Sequence, residues 1–293
     1  MAVVKAKKCL TGVLYATEMD RETFETMWEL SAPGGPAEEC FLRLNQEEFH
    51  CEERPQPDVL ETMPDFRMLP QDDWPKKAVH GIAFTTLTID TPVYLKYLMS
   101  RFLAVGGSIV RGSVQHIDEL VEGDVHPFTR GGEGPLPPKA VVVCAGLGAR
   151  TLGGVEDEDV HPIRGQTVLL RAPWVRFGRT LSSTNGTWTY VMPRKSGDVI
   201  VGGTIAVNDW YPIPRPETTR DILERALALC PEIAPPEVRA TCDATVEDIL
   251  PIVIEEGCGL RPGRKGGIRL EAESNRKVPI VHNYGWAFHL VLA

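Results

Sequence analysis

A chain of 293 residues can bury a large core in one or two domains, and with 43% hydrophobic and 24% charged residues it has the composition of an ordinary globular protein. A net charge of −9 argues against a general nucleic-acid binder, and no apolar run approaches the roughly 18 residues of a membrane span. Seven cysteines, an odd number with no CxxC pair, read as the reduced thiols of an intracellular protein, and the seven histidines show no ligand spacing that would favour a metal site.

The first twenty residues carry no clear periodicity and one glycine, Gly12. Lys5, Lys7 and Lys8 are not followed by the apolar stretch of a secretion signal. Phe24, Met27 and Trp28 recur at i, i+3 and i+4, which predicts an amphipathic helix over 21–30. Ser31 to Glu39 is a Pro/Gly-rich break, and Cys51 to Asp73 reads as polar, proline-punctuated chain with little regular structure. A second helix is capped by Asp90 or Thr91, has Pro92 at its first position and ends at Gly106. Tyr94, Leu95, Leu98, Phe102 and Leu103 are its expected buried face. Ser108 to Val114 then alternates as a strand.

After a surface loop, TRGGEGPLPPK, the run Val141–Val142–Val143–Cys144 leads into Ala145, Gly146, Leu147 and Gly148. A short continuous apolar run followed by glycines predicts a strand of a parallel sheet, buried on both faces. The glycines serve either close approach of the backbone to a ligand or the packing of a following helix. Thr189 to Met192 and Asp198 to Val201 flank Pro193 to Gly197 as a hairpin. A helix over 218–230 is expected to start on a Thr218–Asp221 capping box and to bury Ile222, Leu223, Ala226, Leu227 and Leu229.

Residues 259–271, GLRPGRKGGIRLE, hold the most informative side chain. Pro262 fixes its own φ and disfavours helix at Arg261, so the stretch reads as a rigid turn presenting one guanidinium. Such a group matches both oxygens of a carboxylate, as lysine cannot. A solvated basic turn made of Arg261, Arg264, Lys265 and Arg269 is the other reading. On an acidic molecule either one is a local positive site, suited to a small anion.

Five segments recur together in order: PIRGQTV (162–168), TYVMPRKSGDVIVGGT (189–204), the helix after PETT, GLRPGRKGGIRLE (259–271) and VPIVHNYG (278–285). Over roughly residues 21–285 the chain resembles the D-amino-acid oxidase family of FAD-dependent flavoproteins, which includes D-aspartate oxidase. The resemblance implies an α/β fold. A Rossmann-like FAD-binding subdomain (108–185 and 257–285) interleaves with a substrate subdomain on a mostly antiparallel sheet (21–107 and 186–256), and 1–20 and 286–293 are atypical ends. It also implies roles. Arg261 grips the substrate α-carboxylate and the Tyr190 hydroxyl donates to the same group, orienting the α-hydrogen toward the flavin. Without the resemblance, Tyr190 reads equally as a cross-strand aromatic. Val114, Cys144, Ala145, Gly146 and Gly285 match positions bordering FAD, while Arg164, Gly165 and Gln166 match a structural motif beside it.

The implied activity is oxidative deamination of D-amino acids by hydride transfer, with dioxygen as second substrate and a 2-oxo acid, ammonia and hydrogen peroxide as products. Three departures qualify it. The strand, GxGxxG turn and helix that hold the pyrophosphate in the family do not occur, as though the family's first seventy or so residues, about one βαβ unit, were lost. After Tyr284–Gly285 the chain reads WAFHLVLA where the family continues with a glycine-rich stretch and a helix. Ile205 stands where aspartate-oxidising members carry an arginine, which points to neutral or apolar D-amino acids, with D-aspartate as the alternative substrate. A non-catalytic remnant unable to hold FAD is the competing reading from another class. A homodimer is left open, as is a cytoplasmic or peroxisomal location, since the chain carries no targeting signal.

Overall fold

The computed structural model describes residues 11–53, 59–122, 138–182, 188–273 and 276–285. Two sheets organise them. The large one contains β1 (Phe41–His50), β2 (Arg67–Met68), β3 (His80–Ile89), β5 (Val160–Arg171), β6 (Gly178–Ser182), β7 (Trp188–Pro193), β8 (Asp198–Gly202), β9 (Ala206–Val207) and β10 (Val253–Arg264). Its order is β10-β5-β8-β7-β6-β1-β3-β2, with β9 continuing beside β5 beyond the end of β8. All its pairings are antiparallel except that of β1 with β6. The small sheet is β4 (Val141–Val143), β11 (Arg269–Glu273) and β12 (Ile280–Tyr284) in the order β11-β12-β4, with β4 and β12 parallel.

Helix α1 (Thr11–Leu30) begins ten residues before the expected start. Its Phe24, Met27 and Trp28 pack against Phe41 and Leu87, as their spacing predicts. Helix α2 (Thr91–Ala104) has the expected bounds, with Asp90 at its N-cap and Gly106 at φ +88°. Its expected face is a correction. Tyr94 packs on Phe41, but Leu95, Leu98, Phe102 and Leu103 are each 41–59% exposed, because no layer of the described residues covers that side. Ser108 to Val114 forms no strand with the described residues. It gains a backbone partner only where His116 bridges Gly153, just before the short helix α3 (Asp118–Val121).

The main core lies between the large sheet and helix α4 (Pro216–Leu229). Val168, Leu170, Val191, Val199 and Val201 point from the strands onto Ile222, Leu223 and Ala226. Helix α4 starts at Pro216 rather than Thr218, since a proline at the first position is already set for helix. The capping box occurs instead at Thr245 and Asp248, ahead of the short helix Val246–Ile249. In the small sheet, Val141 and Val143 are buried while Val142 is 58% exposed. The predicted parallel pairing is present, but among the described residues β4 is covered on one face rather than two.

The sheets also divide the chain differently from the sequence boundaries. PIRGQTV is part of β5, and β6 and β10 belong to the large sheet, so 160–182 and 257–264 fall with the antiparallel part. The twelve-residue β5 causes this. It pairs with β8 and β9 on one edge and with the whole of β10 on the other.

Candidate active site

Arg261 and Pro262 lie inside β10, opposite Ile163 and Pro162, and not in a turn. The restriction that proline places on its predecessor favours extended chain, and an edge strand tolerates the missing N–H. The reversal comes later, at Gly266 and Gly267, whose φ values are +83° and +91°. Being paired to β5 gives Arg261 a firmer mounting than a turn would.

Cross-strand neighbours share a face of a sheet, so Tyr190, Gly202 and Thr167 form one row. Val191 and Val201 point to the α4 core, which puts this row, together with Gly165, on the opposite face. There the Arg261 guanidinium lies on the Gly165 backbone. A Cβ added to Gly165 would sit 2.3 Å from Nη1, 2.4 Å from Nη2 and 2.5 Å from Cζ. The Tyr190 ring lies on Gly202 and Gly203 in the same way, with its hydroxyl oxygen 2.5 Å from the position of either added Cβ. Three glycines thus form the floor beneath the arginine and the tyrosine.

Arg261 Nη1 donates to the Thr204 carbonyl at 3.2 Å, and the backbone N–H of Gln166 donates to Thr204 Oγ1 at 2.9 Å. Burial pushes the Tyr190 phenol above its usual pKa, partly offset by the nearby cations of Arg261 and Arg225. The two predicted substrate residues are therefore brought together, with the phenol protonated at neutral pH. Ile205 follows Thr204 at the rim and is 44% exposed.

The buried Arg164 lies on the other face. Its Nε donates to the Tyr211 carbonyl at 2.8 Å, and its Nη2 donates to the Ile213 carbonyl at 2.7 Å and to Gln166 Oε1 at 2.9 Å. Gln166 Nε2 donates to the Arg215 carbonyl and to Thr219 Oγ1, each at 2.9 Å. These bonds fix the segment between β9 and α4, so Arg164 and Gln166 act in the structural part that their motif implied.

Of the residues expected beside the cofactor, the Cys144–Gly146 turn reaches the strand that carries Arg261, on the face opposite the guanidinium. Cys144, Ala145 and Gly146 follow the end of β4, and a Cβ on Gly146 (φ +54°) would lie 3.7 Å from the Pro262 ring, next to Arg261. Gly285 (φ +89°) follows the end of β12, the parallel neighbour of β4. Both turns thus leave the carboxyl ends of adjacent parallel strands, which is where open α/β sheets bind ligands. Cys144 and Ala145 are exposed there. The backbone of these two turns is the part of the chain that would hold a cofactor. Val114 is half-buried on the irregular stretch before His116, outside the small sheet.

Sequence reasoning missed Thr204, Gly202, Gly203 and Arg225 as parts of the site. The GGT after a strand was a usable signal for a close backbone approach. Nothing in the spacing of α4 singles out Arg225.

The family described as FAD dependent oxidoreductase (DAO) matches residues 8–292, wider at both ends than the span read from the motifs. A D-aspartate oxidase of Cryptococcus neoformans var. grubii is 36% identical over 291 residues, covering 91% of this chain and 73% of that protein. A D-amino-acid oxidase of Schizosaccharomyces pombe is 37% identical over 226 residues, 75% of this chain and 58% of that protein. The chain thus spans between about half and three quarters of the length of its curated relatives. Among solved structures, glycine oxidase from Geobacillus kaustophilus superimposes with a TM-score of 0.64 at 16% identity, over 96% of this chain and 75% of that one. The glycine-floored site, the parallel turns beside it and a match over nearly the whole sequence agree: the chain belongs to the DAO family of FAD-dependent oxidoreductases.

Proposed function

We propose that the site oxidises a neutral D-amino acid, with Arg261 and Tyr190 holding the α-carboxylate. The observation that carries this is the convergence of the two side chains over Gly165, Gly202 and Gly203. FAD, when bound, supplies the acceptor for the α-hydrogen as hydride, and dioxygen then takes the electrons as hydrogen peroxide. The imino acid left by loss of the hydride and an amine proton hydrolyses to a 2-oxo acid and ammonia.

The chain's own residues bind and orient. The guanidinium of Arg261 offers a fork of donors to the carboxylate, and the tether to the Thr204 carbonyl limits how far it can swing. The Tyr190 hydroxyl adds one donor, and burial keeps its proton in place well above neutral pH. Holding the substrate in one orientation supplies much of the rate without a side chain acting as acid or base. Cys144, Ala145, Gly146, Gly285 and Val114 are the proposed neighbours of the cofactor. Ile205, beside the tether, offers apolar surface to a neutral side chain.

A second reading, D-aspartate as substrate, is favoured by the identity to the Cryptococcus enzyme. Both are tested by mixing the purified chain with FAD, desalting, recording the visible spectrum and measuring peroxide formation with D-alanine and with D-aspartate. A retained flavin band with faster turnover of D-alanine supports the first reading. Faster turnover of D-aspartate replaces it with the second, and a colourless, inactive protein overturns both.

A further inference from the structure

The carbonyls of Gly203 and Thr204 are consecutive, and each accepts a hydrogen bond from an arginine. The two arginines come from opposite faces of the sheet. Arg261 reaches Thr204 from the substrate face. Arg225, on α4, reaches Gly203 from the core face, its Nη2 donating to the carbonyl at 3.3 Å. Arg225 Nη1 also donates to Thr189 Oγ1 at 2.7 Å and to the Trp188 carbonyl at 3.4 Å, and its Nε is held by Asp221 at 2.9 Å. The Gly203 N–H donates back to the Trp188 carbonyl at 2.7 Å.

We propose that Arg225 is a positioning residue for the carboxylate site, one guanidinium that fixes the strand carrying Tyr190 against the segment to which Arg261 is tethered. Its acceptors on β7 are the two residues immediately before Tyr190, and its acceptor on the other side is the glycine on which the Tyr190 ring lies. The distance between the phenol and the Arg261 guanidinium therefore depends on a side chain that never touches the substrate. A lysine there keeps the charge but cannot bridge three acceptors with a planar fork. Gly202 and Gly203 have no side chains to add packing to the backbone bonds of this segment, so Arg225 is the side chain that ties Gly203 to β7.

This inference rests on the proposed carboxylate site, and its test separates the two. Arg225→Lys and Arg225→Met are compared with the parent in three ways: affinity for propionate, as a simple carboxylate, by saturation-transfer NMR; KM and kcat for D-alanine in the FAD-loaded protein; and ultraviolet titration of the Tyr190 phenol, identified by difference from Tyr190→Phe. Both variants are expected to weaken propionate binding and raise KM by on the order of tenfold or more, the effect of a displacement of less than about 1 Å. In Arg225→Met the phenol should titrate at higher pH than in the parent, since one of the two cations that lower it is gone. Loosening of the fold would expose the phenol and shift it the other way. Parent-like propionate affinity and KM in either variant overturn the proposal.

If Arg225→Met does not fold, Thr189→Val removes a single acceptor and decides with Arg225→Lys, a two- to threefold rise in KM supporting the proposal and no rise refuting it. A parent that binds no propionate and oxidises no D-alanine removes the carboxylate site itself and this inference with it. A parent that does both, with indifferent Arg225 variants, removes the inference alone.

Discussion

Gly165→Ala is the sharpest probe of the site. The added methyl would meet Nη1, Nη2 and Cζ of Arg261 at 2.3–2.5 Å, where carbon and nitrogen normally stand about 3.5 Å apart. The clash is with the far end of a flexible side chain, and Gly165 is in ordinary strand conformation, so the backbone can accept an alanine. The guanidinium must then rise by about 1 Å from the sheet, a displacement that costs on the order of 100-fold in rate for a positioning group. That corresponds to about 2.7 kcal/mol of transition-state stabilisation. Fold stability should change by less than about 1 kcal/mol, since alanine restricts the unfolded chain more than glycine does. The assay is kcat/KM for the preferred D-amino acid beside a thermal unfolding midpoint. In an Arg261→Ala background, itself expected to lose on the order of 2 to 5 kcal/mol of substrate binding, Gly165→Ala should have no further effect. A Gly165→Ala enzyme within threefold of the parent would refute the reasoning, because the arginine would then not act from where it lies.

Tyr190→Phe should cost about 1.5 to 3 kcal/mol, a KM rise of tenfold or more, by removing a donor to a charged group. In the parent, KM should not rise through loss of this proton until above pH 10, since burial raises the phenol's pKa; a Tyr190-dependent rise between pH 7 and 9 would contradict this. Asp157 is buried, and although burial raises its pKa, hydrogen bonds from Arg264 and Tyr284 at 2.8 and 2.9 Å prevail and hold it below the usual carboxylate range. Its stabilisation is complete above the unfolded pKa of about 4 and is lost as pH falls through the lower folded value. Asp157→Asn should therefore cost about 2 to 3 kcal/mol in urea unfolding at pH 7, the low end for a buried pair because Arg264 is partly exposed, and less below pH 4. An equal cost at pH 3 would show that charge is not the cause. Cys230 is buried and its thiol is pushed up to about 12, chiefly by desolvation, so iodoacetamide at pH 8 should spare it in the native protein while labelling the exposed Cys144.

The substrate pair was legible in the sequence because its chemistry is local. An arginine before proline and a tyrosine in a β-rich hairpin keep their meaning wherever the strands are placed. Arg225 was not legible, because its role depends on which carbonyls face α4, and that follows from the register of β7 against β8. The helix over 91–104 shows the same limit. Asp90, Pro92 and Gly106 fixed its ends, yet the apolar residues along it say only that a face is greasy, and Leu95, Leu98 and Phe102 are exposed. Arg261 itself was expected in a turn, since proline and glycine punctuate turns more often than edge strands. The strands β1 and β3 left no clear pattern. Their residues alternate poorly because β1 carries buried Gln46 and half-buried Glu47, the latter taken up by Arg179 at 2.9 Å.

The pairing of β5 with β10 bears on how the protein is made. Arg261 is mounted on a strand whose partner lies about 90 residues earlier in the chain. At ribosomal speeds of roughly 5–20 residues per second, β5 waits on the order of 5 to 20 s for it, one long edge unpaired. During that interval β5 can bond only to β8 and β9, and its other edge is open to any extended segment nearby. The carboxylate site is thus among the last features to form, and a substitution that slows closure of β10 would lower the yield of active protein even where the finished fold is as stable as the parent.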